Sequence, residues 1–223
     1  MTMATLDAAT VLAIAAHPDD IESWCAGAVA GLVYAGWRAV YILCTSGEKG
    51  TSDPNESARA VATRREGEQR QAARIVGADE PVFLRLGDGD LEDTREFRGL
   101  LVREIRRHRP RLLITHDPEH PWPPYITHRD HRIAGRIALD AAYPYACDPL
   151  HFPEQLIGDG LKPPDHHVDI SATLNTKIAA RLAHASQTSD AAALAESWRT
   201  RAQMTGQARG MRYAEAFKRL VLG

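Results

Sequence analysis

The stretch VLAIAAHPDD, residues 11–20, decides the fold, because an apolar run ends there in histidine, proline and two carboxylates. Pro18 has no N–H to donate to a neighbouring strand, so the sequence predicts a buried strand over residues 11–16 that stops at the proline. Short apolar runs and longer helical stretches then alternate along the chain. This alternation predicts an α/β fold with a mainly parallel sheet and helices on both faces.

The order of the predicted elements extends this pattern over the whole chain. Further strands are predicted over residues 39–44, 81–86, 111–115 and 167–170, and helices over residues 23–35, 56–76, 94–108, 130–142, 173–185 and 190–207. Two Pro-rich stretches, residues 117–124 and 143–164, are predicted to be irregular, and long loops of this kind often form sites. No repeat or linker divides the chain, so we expect one domain over residues 1–223 with a Rossmann-like, three-layer architecture.

The composition argues against several classes of function. The chain has 223 residues, and its 27 basic and 29 acidic side chains give a net charge of −2 without a block of like charges. This balance argues against nucleic acid or an anionic membrane as the main partner. The 3 cysteines form no CxxC motif, and no apolar run approaches the ~20 residues of a membrane span. We therefore expect a cytoplasmic protein with reduced thiols.

Histidine and aspartate are concentrated where predicted strands end. His17, Asp19 and Asp20 follow the first strand, at the carboxyl edge of the sheet, where α/β proteins bind their ligands. Two adjacent carboxylates repel each other unless a cation shares them. A histidine and an aspartate three positions apart across a turn can both reach one metal ion, which leaves the other aspartate free to accept a proton.

A second cluster opens the helix that follows the fourth strand. His128 and His131 share one side of its first turn, because they are three positions apart. Both clusters fall at strand ends, so we expect them to converge and to offer two histidines and one aspartate to a metal ion. Three protein ligands leave a position open for water, which is typical of catalytic Zn²⁺. Zinc lowers the pKa of its water to ~7, and a carboxylate base completes the activation.

Each motif alone also has an ordinary structural interpretation. His-Pro-Asp-Asp is a common turn sequence, and the histidines at 128 and 131 could belong to a solvated helix cap. The sequence GDGD (87–90) suits a turn first and a site second. The loop TSGEKG (45–50) lacks the spacing of a phosphate-binding loop. The coincidence of all four at strand ends is what favours a site.

The motifs together resemble those of the LmbE-like, PIG-L-type family of zinc-dependent de-N-acetylases, which remove acetyl or related acyl groups from aminosugar-containing substrates. AHPDD (16–20) with Glu22 and Gly27 is similar to the opening motif of the family, and HRDH (128–131) to its later histidine motif. Other similarities follow in the expected order over nearly the whole chain: TSGEKGT (45–51), Arg65 with Glu68, Ala72 and Gly77, Asp88-Gly89-x-Leu91, His116-Asp117-Pro118, Val168-Asp169-Ile170, Lys177, His184-x-x-Gln187 and Ala214-Glu215-Ala216-Phe217.

The resemblance implies a role for particular residues. His17, Asp20 and His131 correspond to the ligands of one zinc ion per chain, although two histidines and an aspartate also accept Fe²⁺ or Co²⁺. Asp19 corresponds to the general base. The alternative to a metal hydrolase is a non-catalytic, Rossmann-like module that binds a sugar or a nucleotide. No GxGxxG motif follows the first strand, and its two aspartates would repel phosphate. A serine or cysteine hydrolase ranks last, because no GxSxG motif is present.

Four further positions complete the site that the resemblance implies. His128 corresponds to the histidine that stabilises the tetrahedral oxyanion and protonates the leaving amine, and Asp130 to the acid that orients an imidazole. Arg65 and Asp88 match positions that meet sugar hydroxyls, although Arg65 also suits a solvated helix charge. His184 and Gln187 either reach the pocket or lie on an ordinary amphipathic helix face.

The chain also departs from the family pattern. Some members carry a tyrosine two residues before the HxDH motif, where this chain has Ile126 with Tyr125 one place earlier, so Tyr125 receives no role. The loop over residues 121–125 suits an aromatic wall for a sugar, and residues 143–164 are expected to set substrate preference. The family implies an N-acetylated sugar or sugar conjugate as substrate: N-acetylglucosamine conjugates of thiol biosynthesis, chitin-derived sugars, or an aminosugar of a natural product. Its members often form homo-oligomers.

Overall fold

The structure is a computed structural model and describes residues 9–119, 128–146, 154–156, 165–207, 209–217 and 219–220. The strands in these ranges are β1 (Thr10–Ala15), β2 (Arg38–Thr45), β3 (Val82–Leu86), β4 (Leu112–Ile114), β5 (Glu154–Leu156), β6 (His166–Asp169), β7 (Ala214–Phe217) and β8 (Arg219–Leu220). Six of them form one sheet in the order β3-β2-β1-β4-β5-β8. Every pair in this sheet is parallel except β5 with β8, so the predicted mainly parallel sheet is confirmed.

The α-helices of the described ranges are α1 (Asp20–Trp24), α2 (Ala26–Tyr34), α3 (Ala58–Val76), α4 (Arg95–His108), α5 (Arg129–Asp140), α6 (Leu174–Leu182) and α7 (Ala191–Gln207). The side chains of Ser57 and Thr94 accept N–H groups in the first turns of α3 and α4, as helix caps do. The single helix predicted over residues 23–35 is wrong in detail. It starts earlier, at Asp20, and is divided at Cys25, where φ is −139°. Within the described ranges we find no helix that combines the length and the apolar character needed to cross a membrane.

Strand β1 lies in the middle of the sheet and faces a buried layer on each side. Val11, Ala13 and Ala15 pack in one apolar cluster with residues of α2, α3 and α6. Leu12 and Ile14, which point to the opposite face, pack in a second cluster with residues of α4 and α5. Successive side chains of a strand alternate between faces, so a strand covered on both sides is apolar throughout. The three-layer arrangement follows directly from this run.

The sheet order places a crevice at one particular edge. The chain runs from β1 outward through β2 to β3 and then returns to the other side of β1 to form β4. Ligands of open α/β sheets bind outside the carboxyl ends of the strands at such a reversal. The loops that follow β1 and β4 therefore meet at the position where a ligand site is expected.

The fifth predicted strand does not belong to the main sheet. The strand predicted over residues 167–170 is β6, and it pairs antiparallel with β7 in a separate two-stranded sheet. The fifth position along the sheet is instead taken by β5, inside the stretch predicted to be irregular. Only three residues of β5 pair with β4, so this segment is too short to leave a periodic pattern in the sequence.

The C-terminal part of the chain is tied to the start of α2. The Glu215 carboxylate on β7 accepts the N–H groups of Gly27 (3.1 Å) and Ala28 (2.7 Å), which the first turn of a helix leaves without partners. Lys177 of α6 donates to the same carboxylate at 2.6 Å and to the carbonyl of Ser23 at 3.1 Å. These buried contacts fix α1 and α2, and with them the turn that begins at His17.

The close packing of a glycine in α5 leads to a prediction about the free energy of unfolding. A Cβ at Gly135 would lie 2.2 Å from the carbonyl oxygen of His116, because α5 packs closely on the loop after β4. We expect Gly135→Ala to lower the free energy of unfolding by about 1–3 kcal/mol, since overpacked positions force the backbone to move. Gly99→Ala is the matched control, since nothing lies within 4 Å of its Cβ position in α4. The control should be neutral or stabilising in the same urea titration, and an equal loss in both variants would contradict the close approach.

Candidate metal centre

The turn after β1 presents the first group of functional side chains. Pro18 ends the strand, and Asp19 adopts a left-handed conformation (φ 92°) that non-glycine residues rarely take. The Asp20 carboxylate accepts the N–H of His17 at 2.8 Å and opens α1. His17 and Asp20 are both buried, whereas the Asp19 side chain keeps 18% of its surface exposed. The turn therefore fixes two buried groups and leaves the third accessible.

The start of α5 brings a second group to the same place. His128 precedes the helix, and its Nδ1 accepts the N–H of Asp130 at 3.1 Å. One turn further, His131 Nε2 lies 3.0 Å from Asp20 Oδ1 and 3.3 Å from His17 Nδ1. The ligand atoms of His17, Asp20 and His131 all lie within 4.8 Å of one another. The structure thus brings together the three residues that the resemblance implies as zinc ligands.

These three residues suit a divalent transition metal. Two imidazole nitrogens and a carboxylate oxygen that converge at such distances must share protons or a cation, since their lone pairs otherwise repel. Nitrogen and oxygen donors in this ratio are typical of three-ligand catalytic zinc sites. His131 is partly exposed, so the site opens to solvent on that side. The residues present therefore fit the group that the family resemblance implies.

The far edge of the His17 ring faces two further carboxylates. Its Nε2 lies 3.1 Å from Asp88 Oδ1 and 3.4 Å from Asp130 Oδ2. Asp88 accepts the N–H of Lys49 (3.0 Å), and Asp130 accepts that of Gly89 (2.7 Å), so neighbouring loops hold both acids. A carboxylate on the second nitrogen of a metal-binding histidine orients the ring and raises its basicity. Asp88 and Asp130 are placed to do this for His17.

The charges around His17 and Asp88 shift their pKa values in opposite directions. Burial disfavours the protonated ring of His17, but Asp20 and Asp88 outweigh burial and raise its pKa to about 10. Burial likewise disfavours the charged form of Asp88, yet the contact with His17 and the N–H of Lys49 lower its pKa to about 2. Without a metal ion, His17 is thus protonated at neutral pH.

Asp19 lies between two guanidinium groups. Arg181 Nη2 is 3.2 Å from its Oδ2, and Arg65 Nη2 is 3.5 Å from its Oδ1. The N–H of Asp19 donates to the side-chain oxygen of Gln69 at 3.1 Å. Burial and the neighbouring charge of Asp20 raise the pKa of Asp19, and the two guanidinium groups oppose this shift. The carboxylate is therefore held firmly, yet it keeps a higher proton affinity than an ordinary aspartate.

Arg65 is buried between two loops of the site. Its guanidinium donates to the carbonyl of Gly47 at 2.9 Å and to that of Pro18 at 2.7 Å. A Cβ at Gly47 or Gly50 would lie within 2.4 Å of Arg65 Nη1, so only glycine leaves room for this side chain. These contacts connect the loop after β2 to the turn after β1. The burial of Arg65 excludes the interpretation of this residue as a solvated helix charge. Contact between Arg65 and a sugar stays a prediction.

The sequence assigns no role to His116, although this residue belongs to the site. Its ring stacks on His131 with the centroids 4.2 Å apart and the planes 4° apart. Its Nε2 accepts the N–H of Ala16 at 3.2 Å and lies 3.3 Å from Asp20 Oδ2. His116 follows β4, which neighbours β1, so its position after a strand was a signal that could have placed it here. Since its Nε2 lone pair already accepts an N–H, His116 supports His131 and is not counted as a ligand.

Three fully buried side chains form a hydrogen-bonded cluster that contacts the turn after β1. Gln69 donates to Glu22 Oε1 at 3.0 Å, and His184 Nε2 lies 3.2 Å from Glu22 Oε2. Glu22, Gln69 and His184 all have 0% exposure. His184 therefore contacts the interior of the protein and not a pocket, while Gln187 donates to the carbonyl of Gly50. We call these three residues the support cluster, because Gln69 also accepts the N–H of Asp19.

The support cluster makes the second prediction of stability. Glu22→Ala leaves the buried nitrogens of Gln69 and His184 without an acceptor, so we expect the free energy of unfolding to fall by about 3–5 kcal/mol. Glu68→Ala is the control, because Glu68 accepts hydrogen bonds from the exposed Ser186. This control should lose about 1 kcal/mol or less in the same denaturant titration. Equal losses would show that the cluster carries no special weight.

Some predicted features lie outside the described residues. These include Tyr125 and the aromatic loop over residues 121–125, as well as most of the stretch over residues 143–164. Inside that stretch the structure describes a kink at Tyr143 (φ −143°, ψ 127°) and strand β5.

Comparison with known proteins adds independent evidence. The family model described as "GlcNAc-PI de-N-acetylase", PIG-L, matches residues 12–142. The chain is 36% identical over 227 residues to a diacetylchitobiose deacetylase of Thermococcus kodakarensis, with 95% of this chain and 83% of that protein covered. It is 30% identical over 178 residues to a mycothiol S-conjugate amidase of Streptomyces coelicolor, with 70% of this chain covered but 59% of that protein.

A solved structure matches the fold along almost the whole chain. The N,N'-diacetylchitobiose deacetylase of Pyrococcus horikoshii, in complex with its inhibitor MPG, superposes with a TM-score of 0.81 at 30% sequence identity. The match covers 96% of this chain and 85% of that one. The similarity therefore includes the part of the chain after residue 142, which the family model does not reach.

Proposed function

Since this chain belongs to the PIG-L family of de-N-acetylases, we propose that it is a zinc-dependent hydrolase that removes an N-acetyl group from an aminosugar-containing small molecule. Membership confirms the resemblance predicted from the motifs and makes the chain a hydrolytic N-deacetylase. The observation that best supports the finer proposal is the convergence of His17, Asp20 and His131 beside the accessible carboxylate of Asp19. A metal ligand set next to a base is what amide hydrolysis by activated water requires.

The proposed ion is one Zn²⁺ per chain, held by His17, Asp20 and His131. Such an ion, when bound, polarises the amide carbonyl and lowers the pKa of a coordinated water to ~7. Asp88 and Asp130 keep the His17 ring oriented through their contacts with its Nε2. Because Asp20 and His17 are buried, they would exclude bulk water from their side of the site, and the partly exposed side at His131 would admit the substrate.

Asp19 is proposed as the general base. Its side chain is the most exposed of the acidic groups that follow β1, and its raised pKa suits a group that must accept a proton. The left-handed backbone and the N–H bond to Gln69 fix the carboxylate in direction. Asp19 would take a proton from the attacking water and hold it until the amine leaves.

His128 is proposed to stabilise the oxyanion and to protonate the leaving amine. Its Nδ1 is engaged by the N–H of Asp130, which leaves Nε2 for the substrate. The His128 ring lies 4.7 Å from that of His17, so it borders the same space. Burial and the neighbouring charge of His17 lower the pKa of His128, and an acid of lowered pKa gives up its proton readily.

The substrate proposed first is an N-acetylglucosamine unit at the end of a chitin-derived sugar. A relative that matches 95% of this chain is a deacetylase of diacetylchitobiose, and so is a solved structure that superposes on it. Asp88 and Arg65 are proposed to meet the sugar hydroxyls, as the family resemblance implies. The free cysteines Cys25 and Cys44 are buried, which agrees with a cytoplasmic location.

Release of primary amine from N-acetylated sugars tests this proposal. N-acetylglucosamine, N,N'-diacetylchitobiose and an N-acetylglucosaminyl inositol are each incubated with chelator-treated protein, with and without added Zn²⁺. We expect amine to appear only with metal, and fastest with the diacetylated disaccharide. Binding of a sugar without amine release at any metal loading would support the non-catalytic alternative. Release that is equally fast after chelation would contradict the role of the metal.

Metal binding is expected to depend on pH through His17. Since its pKa is about 10 in the metal-free protein, His17 must lose its proton when it binds an ion at pH 7. Affinity for Zn²⁺ should therefore rise by about tenfold per pH unit between pH 7 and 9, because the proton competes less as the pH rises. Calorimetry in two buffers of different ionisation enthalpy measures the proton released, with about one per chain expected.

A pair of variants checks that assignment. Asp88→Asn removes a carboxylate that raises the pKa of His17, so affinity should stop rising at a lower pH. Asp90→Asn is the control, because Asp90 is exposed on the same loop and pairs with Lys49. A pH-independent affinity in the unmodified protein would show that His17 is not protonated before metal binds.

A further inference from the structure

Arg181 is a buried guanidinium at the site that the motifs did not single out. Its Nη2 lies 3.2 Å from Oδ2 of Asp19, although the two residues are far apart in the sequence. Its Nε donates to Ser23 Oγ at 3.2 Å, and its Nη1 donates to Thr188 Oγ1 at 3.3 Å. Four polar contacts on one fork leave this side chain little freedom.

The fourth of these contacts runs from Arg181 Nη2 to the carbonyl of Gln187 at 3.4 Å. Arg181 is 8% exposed, so it offers almost no surface to a substrate. It lies in α6, beyond residue 142, where the family model ends. The contact with Asp19 is therefore made by a part of the chain that the family model does not include.

The guanidinium groups of Arg65 and Arg181 contact different oxygens of the Asp19 carboxylate. Arg65 Nη2 lies 3.5 Å from Oδ1 and also donates to the carbonyl of Pro18, while Arg65 Nη1 donates to that of Gly47. Arg181 makes the shorter contact, to Oδ2. A guanidinium is planar and presents its donors in a fixed fork, so it fixes the direction of a carboxylate more closely than an ammonium does.

We infer that Arg181 is a positioning residue for Asp19: it fixes the direction of the carboxylate beside the proposed metal ligands. The inference rests on the role of Asp19 under the proposed function. Arg181 also offsets the repulsion between the adjacent carboxylates of Asp19 and Asp20. A displacement of about 1 Å of a catalytic group costs on the order of 100-fold in rate, which sets the size of the effect to be expected.

A double-mutant cycle tests the inference. Arg181→Met and Arg181→Lys are each made alone and together with Asp19→Asn, and kcat, KM, bound zinc and the melting temperature are measured for every variant. We expect Arg181→Met to lower kcat by about 100-fold with KM changed by less than about threefold. Arg181→Lys should recover part of the loss, because it keeps the charge but not the fork.

The background with Asp19→Asn separates positioning from a general structural role. If Arg181 acts through Asp19, then Arg181→Met should lower the remaining rate by less than about threefold in that background. Bound zinc should stay at one ion per chain throughout. Arg201→Met is the matched control on the neighbouring helix α7, where Arg201 contacts the rings of Trp24 and Trp198, and it should leave the rate unchanged.

Several outcomes would overturn the inference. An equal fold-loss in both backgrounds would show that Arg181 acts independently of Asp19, and a rise in KM alone would show that it binds substrate. Should Arg181→Met fail to fold, Ser23→Ala is the second variant, because it removes only the acceptor of Arg181 Nε. We expect Ser23→Ala to lower kcat by about 3–10-fold. An unchanged rate in Ser23→Ala would also count against the inference. If Asp19→Asn alone keeps the full rate, the proposed base is wrong. If Asp19→Asn abolishes the rate while Arg181→Met leaves kcat unchanged, the proposed base stands and only the inference about Arg181 fails.

Discussion

Asp19→Asn is expected to lower kcat by about 100- to 10,000-fold while one metal ion per chain stays bound. Asparagine has nearly the same shape as aspartate and tolerates the left-handed backbone found at this position (φ 92°), so the turn should be preserved. The amide cannot accept a proton from water, and this loss is the reason for the large effect. Steady-state release of amine and elemental analysis of the purified protein measure the two quantities.

The effect of Asp19→Asn is compared with that of a matched substitution at a nearby exposed aspartate. Asp90→Asn removes one negative charge from an exposed position near the site and should leave kcat within about twofold. Should Asp19→Asn react at the unmodified rate, another group is the base. Should it lose the metal as well, then Asp19 is a ligand and the division of roles between Asp19 and Asp20 must be reversed.

His131→Ala is expected to reduce bound metal from one ion per chain to less than about one-tenth, and to reduce activity to the background, because only two protein ligands remain. The matched variant is His116→Ala, which removes the ring stacked on His131. Since His116 supports a ligand without being one, its loss should weaken metal affinity by about 10–100-fold but keep one site per chain. Equilibrium dialysis against Zn²⁺ distinguishes the two.

The reverse result would change the ligand set. His116 Nε2 lies 3.3 Å from Asp20 Oδ2, only slightly further than His131 Nε2 lies from Asp20 Oδ1. If His116→Ala abolished the site and His131→Ala merely weakened it, His116 would be the third ligand. The N–H of Ala16, which His116 Nε2 accepts, argues against that arrangement.

Much of the fold could be predicted because it depends on local patterns. The apolar run before Pro18 is buried on both faces, so its continuous apolar sequence predicts a central strand. The end of that strand places His17 and Asp20 at the sheet edge. Helix caps such as Ser57 and Thr94 also act over a few residues. The proximity of His131 to these residues followed from its place at the start of the helix after β4.

The remaining features depend on contacts between distant residues, and no local pattern encodes them. Arg181 is one of many arginines in the chain, and only the packing of α6 shows that it meets Asp19. The sequence allows two interpretations of His184, and its complete burial against Glu22 decides between them. The strand β6 has an ordinary strand sequence, but its partner β7 lies far along the chain.

The contacts of Glu215 bear on the order in which this protein can mature during translation. A nascent polypeptide synthesised as far as residue 142 already contains His17, Asp20 and His131. It lacks Glu215 and Lys177, so two N–H groups at the start of α2 are still without their acceptor. The start of α2, which follows the turn at His17, is therefore completed only after β7 has left the ribosome, and we expect tight metal binding only once Lys177 and Glu215 have been synthesised.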